Sequence, residues 1–201
     1  MTESTRRDEL LAIAASLFAE RGLRATTVRE IADAAGILSG SLYHHFDSKE
    51  SMVDEILSGF LDGLFVRYRE IADSGLNGRD TLTAFVITSY EAIDSFNSAI
   101  AIYQAEAKRL RLIERFAYIE DRNAKLRELW YLALREGIDD GSLRSDIDIT
   151  LVYRFLRDTV WVAVRWYRPG GNLTASEVAQ QYLTIVLDGL TAPAVATERR
   201  L

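Results

Sequence analysis

No proline interrupts the first 168 residues of this chain, and that absence constrains its fold more than any other feature. The two prolines are Pro169 and Pro193, so nothing earlier carries the residue that both removes a backbone donor and clashes with a helical turn. The glycines Gly22, Gly36, Gly75, Gly78, Gly137, Gly141, Gly170 and Gly171 fall mostly where a periodic segment ends, as helix stops do. In the first segment Leu10, Ala14, Leu17, Phe18 and Arg21 follow three- and four-residue steps that gather one apolar stripe. Segments near 48–73, 80–97, 98–111, 114–138, 149–168 and 174–190 repeat that period. The main strand candidate, "FVIT" at 85–88, lies inside a longer helical run and has no hairpin partner. The chain therefore reads as all-α, with about nine helices. A small unit over residues 1–47 precedes a larger one over 48–201, and a long helix rather than a flexible linker joins them.

Composition narrows the function classes. Hydrophobic residues at 48% and charged residues at 27% describe a chain able to bury a core. With no cysteine, a disulfide framework, a thiolate metal site and a cysteine nucleophile are all excluded. The N-terminal "MTESTRRDELLAIAASLFAERG" lacks the order of a signal peptide, and no apolar run reaches bilayer length, which predicts a cytoplasmic protein. A net charge of -6 argues against a sequence-blind binder of polyanions. It leaves a sequence reader open, because only the charges on the docking face matter.

The stretch "TTVREIADAAGILSGSLYHHF", Thr26 to Phe46, carries the sharpest pattern. Thr27 followed by Glu30 is a capping box, and Gly36 sits where a helix ends in the left-handed region. In the second half Ile37, Leu42 and Phe46 can point inward, leaving Ser39, Gly40, Ser41, Tyr43, His44 and His45 for solvent or a partner. Two short helices about a tight glycine turn form a helix-turn-helix, with a second helix thin enough at Gly40 and Ser41 to enter a major groove. On spacing alone, a plain helical hairpin is the competing reading.

The strings "FAERG" (18–22), "TTVREIADAAG" (26–36), "GSLYHHF" (40–46) and "SKE" (48–50) resemble the DNA-binding domain of the TetR family of bacterial repressors. The resemblance implies DNA contacts from Thr27, Tyr43, His44 and Lys49, with Ser39, Gly40 and Ser41 at the base edges. Arg24, Thr26 and Arg29 flank these positions and complete the candidate DNA-binding set. One departure stands out: many relatives carry Ser-Lys after the turn, where this chain has Leu38-Ser39, so Arg24 or Arg29 compensates or the affinity rests more on Tyr43 and Lys49.

The larger unit holds all three tryptophans and all but one of the tyrosines. In "ITLVYRFLRDTVWVAVRWYRPGG" (149–171), Arg154, Asp158, Trp161, Arg165 and Arg168 line one helical stripe, and Val152, Phe155, Thr159, Val162 and Trp166 a second. A structural ladder of Arg154 with Asp158 explains part of this; an anion-receiving wall using Arg157, Arg165 and Arg168 explains it equally well. Tyr103 and Arg109 share a face in the segment 102–123, and Tyr103 and Tyr118 combine an apolar ring with a polar tip. The candidate ligand-binding residues are thus Tyr103, Arg109, Tyr118, Arg157, Trp161, Arg165, Trp166 and Arg168.

Three blocks, "ERGLRATTVREIADAAGILSGSLYHHF", "FAYIEDRN" and "LVYRFLRDTVWVAVRWYRPGG", resemble the branch of that family controlling steroid-ring breakdown. This resemblance implies a homodimer, paired through the last two long helices. It also implies release from a palindromic operator by the coenzyme A thioester of an indanedione-propanoate steroid metabolite. A family repressor answering to another hydrophobic or acyl-CoA ligand is the alternative. His44 and His45 are the only histidines and point apart on a helix, so neither a metal site nor a Ser-His-Asp enzyme is expected, and no cofactor.

Overall fold

The computed structural model describes residues 3–188, and every described regular element is helical. Three helices form the N-terminal unit: α1 (Glu3–Arg21), α2 (Val28–Ala34) and the single turn α3 (Ser39–Leu42). Then follow α4 (Lys49–Ala72), α5 (Gly78–Ser95), α6 (Asn97–Leu110), α7 (Tyr118–Asp139), α8 (Ile149–Val162) and α9 (Ala175–Leu183).

Local chemistry explains most of the boundaries. Thr27 and Glu30 form the expected capping box at α2, and Gly36 takes a positive φ of 66° just beyond its end. Thr174 and Glu177 make a second box at α9. The "FVIT" run lies inside α5, which is buried over most of its surface against α4, α7, α8 and α9. A helix enclosed on all sides reads as continuously apolar, which is why it imitates a strand. Trp130, Tyr68 and Phe85 stack where α4, α5 and α7 meet, with ring centroids 4.6 to 5.9 Å apart.

Two sequence-based boundaries need correction. The segment expected to be helical over 149–168 leaves the α-helix at Val162, passes through a 3₁₀ turn at Ala163–Arg165, and then abandons the helix. Pro169 disfavours the α conformation at Arg168, and the Tyr167 hydroxyl donates to Asp94 Oδ1 at 2.9 Å, drawing the chain inward. The segment 114–138 begins with a separate 3₁₀ turn at Glu114–Phe116, held by the buried Phe116 ring, before α7 starts. Beyond α9 the described chain continues as a π turn over Thr184–Asp188; the expected end of that helix at 190 lies outside the described residues.

The two units share one core, from Leu10 and Phe18 through Met52 and Leu57 to Leu134 and Val160. Their connection is wider than the helix that joins them, because α6 also packs along α1.

Candidate nucleic-acid interface and effector cavity

Ile31, Ala32, Leu42 and Phe46 are buried, and the two short helices pack on each other, with α2 against α1. With those side chains turned inward, Arg24, Thr27, Arg29, Gly40, Tyr43 and His44 are left exposed, and Ser39 and Ser41 half-buried. A Cβ at Gly40 would meet nothing within 4 Å, so the protein's own packing does not demand glycine there. Tyr43 is 57% exposed at the end of α3. Arg24 has no carboxylate partner among the described residues, while Arg29 lies 3.8 Å from Asp33. Arg21 instead pairs with Glu30 at 3.0 Å. Hydrogen bonds from the Thr27 backbone and hydroxyl, with Arg21 nearby, hold the Glu30 carboxyl below the usual carboxylate range.

Three of the expected DNA-contacting side chains are already engaged within the protein. Thr26 is fully buried, and its hydroxyl reaches the carbonyls of Gly22 at 2.9 Å and Leu17 at 3.3 Å. It fixes the turn between α1 and α2 and has no face to offer DNA, which corrects its inclusion among the contacts. The Thr27 hydroxyl donates to Glu30 Oε2 at 2.8 Å. Lys49 Nζ donates to the carbonyls of Leu23 at 2.9 Å and Thr26 at 2.6 Å, leaving one N–H for a phosphate.

Sequence reasoning missed Arg7, which ties the reader to the body. Its guanidinium makes a bidentate pair with Glu55 on α4, at 3.0 and 2.6 Å, donates to the His45 carbonyl just past α3, and lies 4.3 Å from the Phe46 ring centroid. The planar fork suits all three partners at once, which a lysine could not. Replacing Arg7 with methionine should lower operator affinity about tenfold while leaving effector affinity unchanged. Fluorescence anisotropy on labelled DNA and calorimetry with the effector separate the two.

The larger unit encloses a cavity of about 480 Å³, within the range of small-molecule sites. Phe60, Leu64 and Tyr68 of α4, Ile100 and Tyr103 of α6, Arg127 and Trp130 of α7, and Tyr153, Arg157 and Trp161 of α8 line it. Phe60 meets Trp161 edge-on at 5.9 Å, and Trp130 meets Tyr153 at 6.4 Å. Tyr103 accepts from Asn123 Nδ2 at 2.8 Å and so keeps its own proton for another partner. Of the arginines on the wall, Arg157 pairs with Asp158 at 2.7 Å and Arg111 stands 3.9 Å from Glu120. Arg127, half-buried, has no carboxylate partner among the described residues. A half-desolvated, unpaired guanidinium is a place for an anion.

The structure brings Tyr103, Arg157 and Trp161 together around this cavity and leaves the other five ligand candidates outside it. Arg109 pairs with Glu106 at 3.1 Å, and the Tyr118 hydroxyl donates to the Asp54 carbonyl at 3.2 Å. Arg165, Trp166 and Arg168 follow the end of α8, where the 3₁₀ turn breaks the helical period that would align Arg165 and Arg168 with Trp161, and Trp166 with Val162. Trp166 and Arg168 instead border a separate shallow depression with Leu173. The supposed Arg154–Asp158 ladder is absent; Asp158 pairs with Arg157. Tyr68, Arg127, Trp130 and Tyr153 were not anticipated. The signal available for them was the three-residue step Arg127–Trp130 and the four-residue steps Tyr153–Arg157–Trp161.

Residues 10–56 match the profile of bacterial regulatory proteins of the tetR family, and residues 75–190 match a tetracyclin repressor-like C-terminal domain. The chain belongs to the TetR family of regulators. It is 70% identical to the HTH-type transcriptional repressor KstR2 of Rhodococcus jostii, over 95% of this chain and 94% of that one. It is 60% identical to the KstR2 of Mycobacterium tuberculosis H37Rv, over 96% of each. The solved structure of the ketosteroid transcriptional regulator KstR2 of M. tuberculosis superposes with a TM-score of 0.90, covering 96% of this chain and 98% of that one.

Proposed function

We propose that this protein represses genes of steroid catabolism, with residues 1–47 reading DNA and residues 48–201 binding effector and dimerising. The identity to repressors named KstR2, and to a ketosteroid regulator of known structure, supports the steroid assignment. In this reading two copies pair through α8, α9 and the turns that follow them, where Leu151 and Phe155 of α8, Trp166 after it and Ile185 after α9 leave large apolar surface exposed. Pairing places two recognition helices about 34 Å apart on a palindromic operator.

The effector in this proposal is the coenzyme A thioester of an indanedione-propanoate steroid metabolite. The observation that carries it is the cavity's combination of aromatic walls with an unpaired arginine. Fused rings fit against Phe60, Trp130 and Trp161, and anionic groups fit against Arg127. Filling the cavity would move α4 and α6, which bear its walls and reach the reader directly and through α1. An effector favouring the wrongly spaced state by a few kcal/mol would empty the operator.

Arg127→Met should raise the thioester concentration needed for release by about tenfold without changing operator affinity. Arg165→Ala, outside the cavity, should leave the same titration unchanged. The opposite pattern would move the site from the cavity to the segment after α8.

A further inference from the structure

Among the described residues of the N-terminal unit, Leu38 is the most exposed large apolar side chain, at 80%, and it opens the short helix α3 assigned above to DNA reading. Its position is fixed from both sides. Ile37 packs against the core and donates its N–H to the Ala32 carbonyl at 3.0 Å. On the other side, the Leu38 carbonyl accepts from Ser41 N–H at 2.9 Å, and Leu42 is buried. The Leu38 backbone is extended, with φ −73° and ψ 143°, and its side chain caps nothing. The leucine is thus held outward and off the core, and Gly40 and Tyr43, two and five residues further on, are exposed as well.

What such a side chain can recognise is narrow. Leucine neither donates nor accepts a hydrogen bond and neutralises no phosphate. Among base edges in the major groove the apolar feature is the C5-methyl group of thymine. We infer that Leu38 reads a thymine methyl in each operator half-site. This inference rests on the DNA-reading assignment above and adds a specificity determinant to it.

The test uses the full-length protein and a duplex enriched by it from a randomised pool. Each thymine of the enriched duplex is replaced in turn by deoxyuridine, which removes the methyl group and nothing else. For the wild-type protein, one symmetric pair of replacements should weaken binding about fourfold per half-site, or about 15-fold in total, the equivalent of one buried methyl group at each. Leu38→Ala should bind the unmodified duplex more weakly and lose that sensitivity. Leu38→Lys should lose it as well, while its affinity falls more steeply with salt. The inference is overturned if no thymine shows the penalty, or if Leu38→Ala shows it undiminished. Enrichment of no sequence at all would instead overturn the DNA-reading assignment, and this inference with it.

Discussion

Replacing Gly78 with alanine should destabilise the protein by about 3 kcal/mol or more, lowering its melting temperature by roughly 6–12 °C. The added Cβ would lie 2.1 Å from the Gly137 nitrogen, 2.3 Å from the Gly137 Cα and 2.6 Å from the Ala133 carbonyl oxygen. All three are backbone atoms of α7, so no side chain can swing aside. The approach is also locked by polar contacts. Gly78 N–H donates to Asp140 Oδ2 at 2.9 Å, and Arg79 N–H to Ser142 Oγ at 3.2 Å, so the chain after α7 caps the start of α5. Hydrogen bonds from Gly78 N–H and from the hydroxyl and backbone N–H of Ser142 hold the Asp140 carboxyl below its usual range. Forcing α5 and α7 apart would displace Arg127 and Trp130, which α7 carries into the cavity. Thermal unfolding followed by circular dichroism checks this, and a melting temperature unchanged within 2 °C would contradict the backbone contact.

The second large effect belongs to Tyr43. Its alanine variant should fold and dimerise normally, since the ring is mostly in solvent, yet lose about 100-fold in operator affinity. Each half-site would lose a hydroxyl contact to phosphate or base and the ring behind it, worth about 1.5 kcal/mol per half-site. Anisotropy titrations at fixed salt measure the loss, with sedimentation confirming the dimer. Unchanged affinity would remove Tyr43 from the interface.

The reader was more legible in the sequence than the cavity, and the reason is physical. A capping box, a positive-φ glycine and the inward set of Ile37, Leu42 and Phe46 act within a few residues, so their spacing is visible along the chain. Even there, Thr26 is not distinguishable from a DNA contact along the chain, because a threonine beside a cap looks the same whether its hydroxyl faces solvent or the carbonyls of the preceding turn. The cavity is assembled from α4, α6, α7 and α8, and no local pattern specifies which faces of four distant helices converge. A single helix up to Arg168 would align Arg165 with Trp161 and Trp166 with Val162, but α8 ends at Val162 and neither alignment forms. The tether of Tyr167 to Asp94 is a contact between residues 73 positions apart, beyond the reach of periodicity. Arg7 shows the same limit: among so many charges, nothing local distinguishes the arginine that clamps Glu55 and His45 from one in solvent.

A ligand in the cavity of the larger unit should release the smaller one from DNA. The most direct measurement is a titration of the preformed operator–protein complex with the indanedione-propanoate coenzyme A thioester, followed by anisotropy of the labelled DNA. Free coenzyme A and an unrelated acyl-CoA of similar charge serve as controls. Release by the steroid-derived thioester should be saturable, occur at much lower concentration than with either control, and be weakened by Arg127→Met. Retention of DNA at saturating thioester, or equal release by all three compounds, would contradict this mechanism.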